Sequence, residues 1–81
     1  MNIDDLIPMA NRIAQFFATQ PPVETQHTAV AEHLRLFWAP LMRQSLIDYV
    51  DELAGDSDTG GLHPLVLAAV RNERVLLQPA D

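Results

Sequence analysis

Apolar positions recur along this chain at helical intervals, and no segment shows the strict alternation of a half-buried strand. From about Asp5 to Thr19, Leu6, Ala10, Ile13 and Phe17 stand four, three and four residues apart, with Met9 and Phe16 widening the stripe. Asp4 or Asp5 can accept from the free amides of a first turn, and Pro8 is tolerated only inside that turn. The pattern therefore predicts a helix starting at Asp4 or Asp5. Gln20-Pro21-Pro22 interrupts it, because two prolines remove donors and push Gln20 out of the α region. A second helix is expected from about Val23 to Trp38, turning Val23, Val30, Leu34, Phe37 and Trp38 inward with His27 on the same stripe.

Pro40 stops that helix and suits the first turn of a third, whose inward line is Met42, Leu46, Val50 and Leu53 before Gly55. Pro64 can open a fourth, carrying Leu62, Leu65, Ala69 and Val70. Between them G-D-S-D-T-G-G, about residues 55–61, reads as a flexible surface loop. The tail from 75 to 81 begins with Val75, Leu76 and Leu77, which must pack on something, own or foreign. The expected fold is all-α, a small bundle of three to four short helices forming a single domain over residues 1–81.

Length and composition narrow the function. At 81 residues one hydrophobic core is near its lower limit of self-sufficiency, and with no cysteine there are no disulfides, thiolate metal sites or cysteine nucleophiles. Burial against another protein is the remaining source of stability. Eleven acidic and five basic side chains give a net charge of -6, which opposes nucleic-acid binding and an anionic membrane surface. All five basic residues are arginines, Arg12, Arg35, Arg43, Arg71 and Arg74, a set suited to protein interfaces or structural ion pairs. No apolar run approaches the roughly 20 residues of a membrane span, and M-N-I-D-D-L lacks the basic start of a secretory signal. The expectation is a soluble chain that stays in the cytoplasm.

Candidate chemistry is sparse. His27 and His33 are six residues apart, a rotation of about 240° on an α-helix, so they point to different faces and do not form a metal pair. Ser45 and Ser57 lack a nucleophile elbow. Tyr49, beside Asp48 and Asp51, reads as the polar edge of the third helix. The acid pairs Asp4-Asp5, Asp51-Glu52 and Asp56 with Asp58 fall where solvated carboxylates are routine. No catalytic, cofactor-binding or metal-ligating residue is assigned.

The distinctive stretch is E-H-L-R-L-F-W-A-P-L-M-R, Glu32 to Arg43, which holds the one tryptophan, a phenylalanine, a proline and two arginines. Phe37 and Trp38 serve either as core or as anchors of a docking face, and both readings stay open. Arg35 and Arg43 fit a docking face better, reaching acidic groups on a partner.

Three blocks together, M-A-N-R-I-A-Q-F-F (Met9 to Phe17), H-L-R-L-F-W-A-P-L-M-R (His33 to Arg43) and L-H-P-L-V-L-A-A-V (Leu62 to Val70), resemble in order and spacing the delta subunit of NAD-dependent, molybdenum-containing formate dehydrogenases of the cytoplasm. The resemblance implies a non-catalytic accessory subunit of an enzyme that oxidises formate to carbon dioxide and reduces NAD. It implies that the large catalytic subunit is the partner and that this chain supports its assembly, cofactor loading or stability. Bis-molybdopterin guanine dinucleotide, iron–sulfur clusters, FMN and NAD would then sit in other subunits. Mapped onto this sequence, the partner-binding residues are Met9, Asn11, Phe16, Phe17, Arg35, Phe37, Trp38, Pro40 and Arg43. The chain departs from the usual pattern at Ala39 and Leu41, where an acidic and a basic residue are expected around the proline, and at His63, where a serine cap is commoner. A homo-oligomeric helical module, its tail completing a neighbour's core, is the alternative. A catalytic domain and a DNA-binding helix-turn-helix are the more remote ones.

Overall fold

The computed structural model describes residues 2–53, 55 and 58–79. Among these there are five helices and no strand: α1 (Ile3–Phe17), α2 (Gln26–Phe37), α3 (Pro40–Asp51), α4 (Pro64–Asn72) and the single turn α5 (Arg74–Leu77). A 3-10 turn, Val23–Thr25, leads into α2. The all-α expectation holds, with the tail adding a short fifth helix. Asp56, Ser57 and the end of the tail, 80–81, lie outside the described residues.

Each helix boundary has a local cause. Asn2 caps α1, its side-chain oxygen accepting from the Asp4 amide at 3.0 Å. That cap starts the helix earlier than Asp4, so Pro8 falls beyond the first turn, correcting the expectation that it must lie within it. Pro8 has no amide to offer the Asp4 carbonyl, and its exposed position leaves that carbonyl open to water. α3 begins at Pro40 without a side-chain cap, as Ala39 has no acceptor to offer. His63 does cap α4: its Nδ1 accepts from the Leu65 amide at 3.0 Å.

Buried side chains from all five helices meet in one cluster. Leu6, Ala10 and Ala14 come from α1, Val30, Ala31 and Leu34 from α2, and Leu46, Ile47 and Val50 from α3. Leu62 and four residues of α4 (Val66, Leu67, Ala69, Val70) close one side, and Leu77 of α5 closes another. α2 is the central element, packing against every other helix and most closely against α4. The tail thus finds its surface on its own chain: Leu77 is buried and Leu76 partly buried, while Val75 stays exposed.

Two inward expectations fail. Val23 is 73% exposed because the 3-10 turn takes it off the α2 stripe. Phe37 is 72% exposed because Ala31 belongs to the buried stripe, and including it rotates the stripe's centre away from Phe37.

An exposed ion pair joins α5 to the end of α3. Arg74 donates to both carboxylate oxygens of Asp51, Nη1 to Oδ1 at 2.7 Å and Nη2 to Oδ2. These hydrogen bonds, with the guanidinium charge behind them, hold the Asp51 carboxyl below its ordinary range. A carboxyl with a lowered folded-state pKa contributes stability above its unfolded value and loses it as pH falls through the folded one. The pair is solvent-screened, so its contribution is small.

Two outcomes follow. Leu34→Ala, at a fully buried site on the central helix, should cost about 2–5 kcal/mol, read as a lower urea midpoint at unchanged slope. Arg74→Ala should lower the midpoint slightly at neutral pH, and the difference from wild type should vanish in acid, once Asp51 is protonated.

Candidate functional site

The nine residues expected at a partner surface separate into three environments. Asn11 and Arg43 turn inward and bind backbone, and Trp38 is buried. Phe16, Phe17 and Phe37 gather on the surface; Met9, Arg35 and Pro40 lie exposed around the fold.

Asn11 uses both ends of its amide on the segment leading into α4. Its Nδ2 donates to the Gly61 carbonyl at 2.9 Å, and its Oδ1 accepts from the His63 amide at 2.7 Å. These bonds span about fifty residues of sequence and fix the entrance of α4 against α1. His63 continues the chain of bonds by capping Leu65 through Nδ1, which requires the neutral ring with its hydrogen on Nε2. Tyr49 adds a tie from α3, its hydroxyl donating to the Gly60 carbonyl at 2.8 Å. A side chain at Gly60 would meet Leu53 and Tyr49 below 3.0 Å, and its φ of +56° favours glycine as well.

Arg43 donates from Nη1 to the Leu77 carbonyl at 3.2 Å, satisfying a free acceptor at the end of α5. Its Nε is buried without a hydrogen-bond partner among the described residues. The guanidinium therefore fastens α3 to α5. Trp38, at 6% exposure, fills the core where α2 ends. Its amide still donates to Leu34 at 2.9 Å, but its own ψ of 140° takes the chain out of the helix.

Four rings form a continuous row across the seam between α1 and α2. Phe16 meets Phe17 edge-on at 5.1 Å between centroids, Phe17 meets His33 at 5.9 Å, and His33 meets Phe37 at 4.7 Å. Phe17 and His33 are half-buried in the middle; Phe16 (60%) and Phe37 (72%) are exposed at the ends. Leu36 extends the exposed surface on α2, and Met9 lies on the Phe16 flank two turns earlier. His33 was read from sequence only as a metal candidate to dismiss; its i, i+4 spacing to Phe37 was the signal for this row.

Beside the row, where α1 gives way to α2, is a cavity of about 210 Å³. Phe16, Phe17, Gln20 and Pro21 form one wall, and Thr25, Gln26 and Ala29 the other. Gln26 holds the intervening turn in place, its Nε2 donating to the carbonyls of Gln20 at 2.9 Å and Ala18 at 3.2 Å.

Arg35 does not join this surface. It is two residues from Phe37, a rotation of about 200°, so it emerges on the opposite flank of α2. Arg12 and Arg35 have no hydrogen-bond or ion-pair partner among the described residues. His27 and His33 diverge as their spacing required. His27 Nε2 lies 3.7 Å from a carboxylate oxygen of Glu73, which also accepts from Thr28 Oγ1 at 3.3 Å. Among the described residues no group of three or more His, Asp or Glu could hold a metal ion, and no helix is long and apolar enough to cross a membrane. With no cysteine in the chain there is no thiolate to ligate an iron–sulfur cluster.

The described residues form a small all-α protein with an aromatic face exposed between α1 and α2. The family described as NADH-dependant formate dehydrogenase delta subunit FdsD matches residues 5–70, and the chain belongs to that family. The match runs from the first turn of α1 into α4 and leaves out α5, the element that Arg43 and Arg74 tie down. No curated protein matches the chain, and no solved structure does.

Replacing Asn11 by Ala should leave the Gly61 carbonyl and the half-buried His63 amide without partners, at a cost of about 1–3 kcal/mol. Thermal unfolding measures the loss, and faster amide exchange at His63 and Leu65 should accompany it.

Proposed function

We propose that this chain is a non-catalytic accessory subunit that binds the large, molybdenum-containing catalytic subunit of a cytoplasmic, NAD-dependent formate dehydrogenase. Family membership makes it a formate dehydrogenase delta subunit; the observation that supports a docking role is the row Phe16, Phe17, His33 and Phe37, exposed at its two ends. Aromatic side chains at this exposure, next to a concave pocket, are the usual anchors of protein interfaces. The reading therefore puts the weight of docking on Phe16, Phe17 and Phe37, with Met9 beside them. Pro40 and Arg35 would contribute at other edges of the contact. Trp38, Arg43 and Asn11 would act indirectly, by holding the helices that present this face.

Bis-molybdopterin guanine dinucleotide, iron–sulfur clusters, FMN and NAD belong, in this reading, to the other subunits. Binding one conformation of the large subunit more tightly than another stabilises it by the difference in affinity, which is how a chain without reactive groups can support assembly, cofactor loading or stability.

Co-expression of the tagged chain with the other formate dehydrogenase subunits tests the reading. The chain should co-elute with the large subunit, and its deletion should lower bound molybdenum or formate-dependent NAD reduction. Phe16→Ala with Phe37→Ala should keep the helical circular dichroism of the isolated chain and weaken co-elution about tenfold or more. Unchanged affinity in that double variant would remove the aromatic face from the account.

A further inference from the structure

The pocket between the end of α1 and the start of α2 restricts what can fill it. Its volume, about 210 Å³, suits one large side chain and falls below the roughly 300 Å³ at which small-molecule sites begin. No charged residue lines it, although charged residues make up 20% of the chain. A charged group entering would lose hydration and find no counter-ion, so the inserted tip must be apolar. The side-chain donors of its lining are engaged: Gln26 Nε2 donates to the Ala18 and Gln20 carbonyls, Gln20 Nε2 to Thr19 Oγ1, and Thr25 Oγ1 to the Pro22 carbonyl.

The rim on the α2 side is acidic. Glu24 immediately precedes Thr25 of the lining, and Glu32 lies one turn beyond Ala29 on the same side of the helix. Both are exposed, and neither carboxylate has a hydrogen-bond or ion-pair partner among the described residues. On the α1 side the nearest charge is Arg12, four residues before Phe16. A second copy of this chain would bring a net charge of -6 against another -6, which opposes self-docking. Basic side chains beside an apolar anchor would instead meet the two free carboxylates.

We propose that this pocket receives a single bulky apolar side chain, Leu, Met or Phe, from a segment of another formate dehydrogenase subunit, with Lys or Arg next to the anchor on the side facing α2. The inference rests on the docking reading above and supplies the chemistry of the contact.

Ala29→Trp fills the pocket from a half-buried helical position outside the core cluster. The isolated variant should keep its helical circular dichroism and bind the co-expressed complex at least tenfold more weakly. Glu24→Gln with Glu32→Gln should weaken binding several-fold and flatten its salt dependence. Benzoylphenylalanine in place of Thr25 should crosslink, in the assembled complex, to a peptide carrying a bulky apolar residue within a few positions of Lys or Arg. Full affinity in a folded Ala29→Trp variant overturns the inference, as does a crosslink to a second copy or to a segment without that pattern. If Ala29→Trp fails to fold, the crosslink alone decides. Co-elution of both wild type and Ala29→Trp leaves the docking reading standing and removes only the pocket; a wild-type chain that does not co-elute removes both.

Discussion

Pro40 sets the arrangement on which the rest depends. It cannot donate a backbone hydrogen bond, and it holds Ala39 in an extended conformation with ψ of 152°. α2 must therefore stop at Phe37. The chain leaves the helix at Trp38, whose indole goes into the core, while Phe37 is left outside on the flank it shares with His33. Two adjacent aromatics thus receive opposite fates: the break before Pro40 sends Trp38 inward, and the buried stripe that includes Ala31 leaves Phe37 outside. The buried ring closes the centre of the molecule, and the exposed ring ends the row that begins at Phe16.

A chain of 81 residues without cysteine has few ways to hold five helices together. Its apolar cluster is drawn from every helix, and α2 runs through the middle of it. Long-range ties then fix elements that bury little on their own. Asn11 fixes the entrance of α4, Tyr49 holds the Gly60 turn, and Arg43 and Arg74 secure α5 at both of its ends. These ties leave the aromatic seam between α1 and α2 at the surface, with Leu41 and Val75 exposed elsewhere on the fold. Presentation of such a face by packed helices lowers the ordering cost of binding.

The helices were legible because their apolar spacing is regular: Leu6 and Ala10, Val30 and Leu34, and Leu46 and Val50 all point inward as the pattern requires. The inward placement of Phe37 fails because a pattern of large residues ignores Ala31, a small residue that belongs to the buried stripe and changes its direction. The start of α1 was misplaced because Asn2 outcompetes the two aspartates as its cap. The family was legible from three blocks of sequence, and the family match agrees with it. The roles of Asn11 and Arg43 within those blocks were not legible. Their partners, His63 and Leu77, lie 52 and 34 residues away, and no local periodicity encodes contacts at that separation. The unusual residue at position 63 was visible in the sequence; that its imidazole nitrogen itself caps α4 emerged only from the structure.

In the proposed function the α1–α2 seam is the surface covered in the assembled enzyme. Amide hydrogen exchange of the chain, alone and bound to the co-expressed large subunit, tests it most directly. A covered seam slows exchange in residues 16–29 and 33–37, with little change in residues 62–77. A bound chain whose protection falls on α4 and α5, and leaves the aromatic seam exchanging as it does in isolation, would contradict it.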